Sequence, residues 1–282
     1  MKKRILYGLI VVGLQGLVLF LSPPVSSAQR LENDQEERFT LPKPGIDELR
    51  KEIPEPAMQD ARESREIKYV EGKDGTWFTA DDQIYHYFLP EYDDKGRMSK
   101  KSCFKAGADG IAQSSDDELV DYQTFEYGPD NNIQTETSFD AKGAKQYTIV
   151  YDYDAKGRKV KAARVNPNNE QIRSTVFYYN SRGLLVKDVE FAGKDIEKYH
   201  RYEYDRKGIM TKAMEYHVKQ NGKGPDGKWF TADDVVSSTK EFFYNKNGTK
   251  AMEKKYIGAG PDGAWFTKDD VLQYYTLFYY GK

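Results

Sequence analysis

From about residue 66 to the end, apolar and polar residues alternate with a period of two, in short runs that stop at turn residues. Tyr147, Ile149, Tyr151 and Tyr153 form one such row, Phe177 and Tyr179 another, and Phe242 and Tyr244 a third. A period of two places alternate side chains on opposite faces, so these runs predict β-strands. Most end in one signature: two aromatics with one residue between, an Asp or Asn, then a Gly-containing turn. It reads PEYDDKGR (90–97), SFDAKGA (138–144), YDYDAKGR (151–158), FYYNSRGL (177–184), YEYDRKGI (202–209) and FFYNKNGT (242–249), with a looser FEYGPDNN (125–132). Asp or Asn suits the first position of a type I turn, and Gly the left-handed residue that closes it. Together they predict a three-residue hairpin loop with a Gly bulge.

That turn sets a register. With Asp205 opposite Ile209, Tyr204 lies beside Met210, Tyr179 beside Leu185, Tyr92 beside Met98, and Tyr153 beside Lys159. Lys100, Lys161, Lys187 and Lys212 recur two positions further on, where their stems would cover the aromatic rings. The opposite face reads as mixed, with Arg201, Glu203, Val186 and Asp188. With 22 tyrosines, which keep a hydroxyl near water or a partner, a half-wet sheet is favoured over a deep dry core. The expected fold is all-β: an extended antiparallel meander of repeated β-hairpins, about thirteen strands forming a curved, twisted open sheet.

A second repeat lengthens some connections. GKDGTWFTADD (72–82), GPDGKWFTADD (224–234) and GPDGAWFTKDD (260–270) are near copies, and GADGIAQSSDD (107–117) keeps the acidic frame without the Trp-Phe pair. Two readings fit. Asp and Gly at this spacing match the second half of an EF-hand loop, although the first half and the closing Glu are missing. Calcium is therefore one expectation, held by Asp74, Asp81, Asp82, Asp226, Asp233, Asp234, Asp262, Asp269 and Asp270, with Asp109, Asp116 and Asp117 as a weaker set. The other reading is a rigid corner: a capping box at Thr-x-x-Asp, an Asp-Gly turn, and Trp77, Trp229 and Trp265 plugging the loop onto the sheet.

The ends differ from this pattern. Residues 1–28 read as a signal peptide: Lys2, Lys3 and Arg4, an apolar run to Leu21, and small Ser26 and Ala28 before a cleavage point. Retention as an anchor stays open. Residues 29–65 read as a charged linker with Pro42, Pro44, Pro54 and Pro56 and short helices at 46–53 and 57–66. The repeat domain then spans 66–282. One cysteine, Cys103, excludes an intramolecular disulfide. A net charge of −2 leaves no basic excess to displace counterions, which argues against nucleic acid.

The units YDYDAKGRKVK and YEYDRKGIMTK resemble the YD repeats of the RHS family, exported bacterial proteins whose repeats wind into a shell around a toxic cargo domain. The resemblance covers roughly 85–282 and implies hairpin repeats and export; this chain is too short to close such a shell and carries no cargo segment after Lys282. His86, His200 and His217 share no ligand spacing, and no nucleophile motif occurs, so the chain reads as non-enzymatic. The functional expectation is an exported binding or structural module of the cell envelope, periplasmic, outer-envelope-associated or secreted. Its aromatic sheet face would take a protein or glycan partner, with no integral membrane span in the mature chain. A secreted carbohydrate-active hydrolase and an outer-membrane β-barrel are the alternatives, the latter opposed by the lack of a clean lipid-facing band.

Overall fold

The structure is a computed structural model that describes residues 62–281. The signal peptide, the first predicted helix and nearly all of the linker lie outside the described residues. The chain forms β1 (Glu63–Val70), β2 (Gln83–Tyr92), β3 (Met98–Lys105), β4 (Glu118–Tyr127), β5 (Ile133–Asp140), β6 (Lys145–Tyr153) and β7 (Lys159–Val165). It continues through β8 (Gln171–Tyr179), β9 (Leu185–Ala192), β10 (Asp195–Tyr204), β11 (Met210–His217), β12 (Ser238–Tyr244), β13 (Lys250–Gly258) and β14 (Val271–Tyr280). A short 3₁₀ turn, Val218–Gln220, follows β11. At the end of the second expected helix, Glu63–Glu66 is strand; residues 57–61 lie outside the described residues.

The hairpins form as the signature predicts. In the turn after β10, the Asp205 N–H bonds Ile209 O at 2.9 Å and the Gly208 N–H bonds Asp205 O at 3.0 Å. Asp205 Oδ1 also accepts the N–H groups of Lys207 and Ile209, both at 2.9 Å, which holds the turn without any neighbour's help. Gly208 has φ +82°, a conformation that a Cβ would strain. The four expected pairs are present: Tyr204 with Met210, Tyr179 with Leu185, Tyr92 with Met98, and Tyr153 with Lys159.

The same Gly bulge overturns the placement of the lysine row. Beside each turn the second strand carries one extra residue, so Lys212 lies opposite Glu203, not on the side of Tyr204. The bulge likewise moves Asp188, which lies opposite His200 and accepts the Tyr202 hydroxyl. A one-residue shift exchanges the faces of everything beyond it. The two faces are named here by the neighbours Tyr199 and His200 of β10, which point to opposite sides.

A tyrosine at the turn end of each of six strands links neighbouring strands. The hydroxyls of Tyr92, Tyr127, Tyr153, Tyr179, Tyr204 and Tyr280 donate to the carbonyls of Glu63, Met98, Ile133, Lys159, Leu185 and Lys250, at 2.7–2.9 Å. Each acceptor sits at or near the start of the preceding strand. This is the use of the second aromatic in the repeated signature.

The expected open sheet is not what forms. β1 pairs with β2 on one side and with β14 on the other, Ile67 opposite Leu277 and Tyr69 opposite Tyr275. The fourteen antiparallel strands therefore make a closed barrel in sequence order. The resemblance to an open YD-repeat array fails at the same point: the repeated hairpins are present, but they close on themselves. Every strand pair except β11–β12 carries a register shift, and bulges add bend and twist, so the meander curls until its ends meet. Closure also removes two unpaired edges that an open sheet would expose.

Candidate functional site: corner loops and a charged cavity

The turns after β2, β4, β6, β8, β10 and β12 lie at the end of the barrel where the described chain enters and leaves, whereas the Asp140 turn joins β5 to β6 at the other end. The four acidic motifs also lie at that other end, joining β1–β2, β3–β4, β11–β12 and β13–β14. Their glycines are obligatory for two reasons. A Cβ on Gly224 would stand 1.9 Å from Asp233 O, and one on Gly260 2.3 Å from Asp269 O, so the loop crosses its own backbone there. The second Gly of each copy, such as Gly227 at φ +68°, is left-handed.

The acids mostly serve the loop itself. In the first copy Asp74 Oδ1 accepts Thr76 N–H at 2.7 Å, and Asp81 accepts Asp74 N–H at 3.1 Å and the Thr79 hydroxyl at 2.6 Å. Asp82 accepts Phe78 N–H at 2.7 Å and Gly72 N–H at 3.3 Å. Apart from the Gly72 bond, Asp226, Asp233 and Asp234 repeat these contacts in the third copy, and Asp262, Asp269 and Asp270 in the fourth. Phe78, Phe230 and Phe266 are held at φ +66°, +68° and +68° by those carboxylates, and Gln113 takes the same conformation in the worn copy. The Thr hydroxyls hold Asp81, Asp233 and Asp269 below the ordinary carboxylate range, as Ser114 does for Asp116. No helix follows the Thr-x-x-Asp segment, whose Asp N–H instead closes a turn onto the Thr carbonyl.

Each loop also leans over the Tyr199 face, where three of the four meet a tyrosine that the sequence reading missed. Tyr275 donates its hydroxyl to Asp82 at 2.8 Å, Tyr87 to Asp117 at 2.5 Å, and Tyr199 to Asp234 at 2.5 Å. Each ring is stacked on its cross-strand neighbour, Tyr69, Phe104 or Tyr216. Trp77 and Trp229 pack edge-on against Tyr275 and Tyr199, the plug expected of them. Lys254, Lys187 and Lys212 lie over Phe78, Phe230 and Phe266 at 4.2, 4.1 and 3.9 Å; of the expected lysine row, Lys187 and Lys212 thus cover loop rings, while Lys100 lies over Tyr122 and Lys187 also over Tyr178 of the sheet, at 5.1 and 4.7 Å.

The fourth loop lacks the tyrosine. Its place, opposite Tyr256 in β12, is taken by Thr239, which is 1% exposed and whose Oγ1 has no hydrogen-bond partner among the described residues. Burial raises the Asp270 carboxyl above its ordinary range, whereas the Tyr87 hydroxyl first, and backbone N–H groups after it, lower Asp117 to about 2. Only the weaker set, Asp109, Asp116 and Asp117, brings one oxygen each to within 4.8 Å of the others among the described residues.

The second feature lies on the His200 face, where a cavity of about 170 Å³ is lined by His200, Tyr202, Glu215, Lys240, Phe242 and Lys255, among others. His200 Nδ1 is 2.9 Å from Asp188 and Nε2 is 3.1 Å from Glu215. Ser238 donates to Glu215 at 3.3 Å, and Lys240 pairs with Glu253 at 2.8 Å. His217 instead caps the 3₁₀ turn, and His86 packs on Tyr85, so the three histidines share no site. Asp188 and Glu215 are both engaged by His200, which leaves neither as the free acid a glycosidase needs. The non-enzymatic expectation is consistent with this barrel.

Neither a protein-family model nor a curated protein matches the sequence. Solved structures align weakly. A porin-like protein from Bacteroides uniformis aligns at 12% identity and a TM-score of 0.39, over 77% of this chain and 96% of that one. The Tc holotoxin pore of Photorhabdus luminescens aligns at 12% and 0.25, over 73% of this chain and 11% of that one. A Bacteroides fragilis protein of unknown function aligns at 12% and 0.14. At such scores they are weak likenesses and carry no functional argument.

Closure itself corrects two expectations. A flat or concave open face for a protein or glycan partner does not exist when both sheet edges are joined. The expectation of no integral membrane span rested on the lack of a long apolar run in the mature chain and of a clean lipid-facing band; no described helix is long and apolar enough to cross, but a closed barrel can cross with strands. Envelope association, the coarser part of the localisation, fits such a barrel.

Proposed function

We propose that the chain is an outer-membrane β-barrel, inserted by its strands and enclosing a polar, ion-paired interior. The observation that carries this reading is the β1–β14 seam, which leaves no unpaired edge for lipid to meet. Three further features support it. The strand number is even, one end holds only tight turns while all four long loops lie at the other, and strands run from seven to ten residues. Tilted strands of about nine to eleven residues span a bilayer.

The His200 face is the interior in this reading, because its charges come in bonded pairs and converge from several strands. Lys68 of β1 lies in electrostatic range of Cys103 on β3 and of Lys240, Glu253 and Lys255 on β12 and β13. Such convergence belongs to the side that curves inward. The Tyr199 face turns outward. It carries Ile67, Leu89, Val189 and Leu277 around mid-height, with Ile67 and Val189 buried, and Lys100, Lys161, Lys187 and Lys212 nearer the turns; the Lys187 and Lys212 ammonium groups lie over the loop rings Phe230 and Phe266. The outward apolar band is therefore shallow. Fractionation of expressing cells tests the reading. The protein is expected to stay with membranes through alkaline carbonate, to need detergent, and to migrate faster in SDS gels unboiled than boiled. Monodisperse protein in detergent-free buffer would sink the reading.

Calcium at the acidic loops stands as a separate proposal, supported by the convergence of Asp109, Asp116 and Asp117. Titration with calcium after EDTA is expected to protect the β3–β4 loop first. No change in loop protection with calcium or magnesium would leave all four motifs as hydrogen-bonded corners.

A further inference from the structure

We propose that the cavity on the His200 face binds a small oxyanion, a carboxylate or phosphate group, at the ammonium of Lys255. The argument rests on which charges around the cavity are already paired. His200 faces Asp188 and Glu215 with both ring nitrogens, which requires a donor at each and so makes the ring an imidazolium. Glu215 is also 3.6 Å from Lys198 and accepts from Ser238. Glu253 is taken by Lys240 at 2.8 Å and by Lys250 at 3.7 Å. Lys255 lines the same cavity, yet no carboxylate lies within ion-pair distance of it among the described residues. Its electrostatic neighbours are the already engaged Glu215 and Glu253, and two further ammonium groups, Lys240 and Lys198.

Lys68 adds to the imbalance. Its ammonium lies 4.2 Å from the Tyr274 ring and in electrostatic range of both Lys240 and Lys255. An unpaired ammonium in a partly desolvated cluster of cations gains most from a compact anion that also accepts hydrogen bonds. The remaining walls fit a short carbon skeleton: Phe242, Tyr202 and Ala213 are apolar over most of their surface. At about 170 Å³ the cavity takes only a few waters' worth of ligand, at roughly 30 Å³ each. That space accommodates inorganic phosphate or a carboxylate of few carbons.

This inference needs the barrel and its cavity but not the lipid around it, so it is tested on the folded protein in whichever medium keeps it monodisperse. Inorganic phosphate and succinate are titrated separately by calorimetry, with sodium chloride held constant. Saturable binding of one of them is expected, weakened at least tenfold by Lys255→Gln and unchanged by Lys194→Gln in the distant β9–β10 turn. Phosphate binding alone, or succinate binding alone, identifies the source of the oxyanion. Absence of saturable binding by either probe overturns the proposal, as does equal binding by K255Q. Should K255Q fail to fold, the His200 ring-proton shifts of the wild-type protein decide: saturable movement with either probe supports the site, and no movement removes it.

Discussion

Thr239 is the residue whose replacement says most. Three corner loops are locked by a phenol hydroxyl on an aspartate, and the fourth has a buried, unbonded threonine Oγ1 where that phenol would be. Thr239→Tyr is expected to supply the missing stack on Tyr256 and the missing donor to Asp270. A gain of about 1 kcal/mol, the usual net value of a hydrogen bond, would raise the melting midpoint by roughly 2–4 °C in a domain of this size. An unchanged or lower midpoint would show that the space over Tyr256 cannot admit a ring. Acid separates the loops by sign. Asp117 is depressed to about 2, so its contribution is complete above its unfolded value and is lost as pH falls toward 2. Asp270 is raised, so its ionisation works against the folded loop, and mild acid relieves it. Amide exchange from neutral pH down to pH 4 should therefore slow at Phe266 and Thr267, after correction for intrinsic rates, while Ser114 holds. The reverse order would refute the assignment.

At the scale of the hairpin, more of the structure was legible. The turn chemistry is local: an Asp or Asn side chain, its own backbone, and a Gly at positive φ make the corner whatever surrounds it. Registers such as Tyr204 beside Met210 followed from that alone. The face of Lys212 did not, because a bulge residue reads in sequence like any other strand residue. The tyrosine locks were hidden for another reason. Tyr275 and Asp82 are 193 residues apart, and nothing relates them until the first and last strands are neighbours. Two substitutions test this level. Asn180→Ala removes the acceptor for the N–H groups of Arg182 and Leu184, both at 3.0 Å, and should cost about 1 kcal/mol in denaturant unfolding. Gly224→Ala puts a methyl 1.9 Å from Asp233 O, so the β11–β12 loop cannot close as it stands. Tryptic cleavage after Lys223 or Lys228 is the expected consequence, with other hairpins untouched; wild-type resistance to trypsin in that variant would contradict the crossing.

For the whole molecule, the sequence pattern reported which strands are neighbours but not that the row bends back on itself. Closure is the sum of many small shifts, one beside almost every turn, and no single residue encodes it. The acidic motif stayed open for a related reason: Asp and Gly at that spacing suit a cation and a self-bonded corner equally well. Cys103, 5% exposed within β3, supplies a probe of the closed state. A thiol reagent is expected to leave it unmodified in the native barrel and to react once the barrel is unfolded. Fast reaction under native conditions would mean that the wall near β3 opens readily.

The seam between β1 and β14 joins Tyr69 to Tyr275, nearly the full length of the described chain. Every other pairing can form as soon as the next few residues are available, but this one must wait for the last strand to be made. Until then β1 offers a bare edge, and the first corner loop lacks the hydroxyl of Tyr275 that Asp82 accepts. A barrel with twelve or thirteen strands paired still has two edges open, the form most apt to pair with a stranger. Its assembly time is set by one late, long-range event, and during that interval the unfinished barrel depends on being kept apart from its own copies.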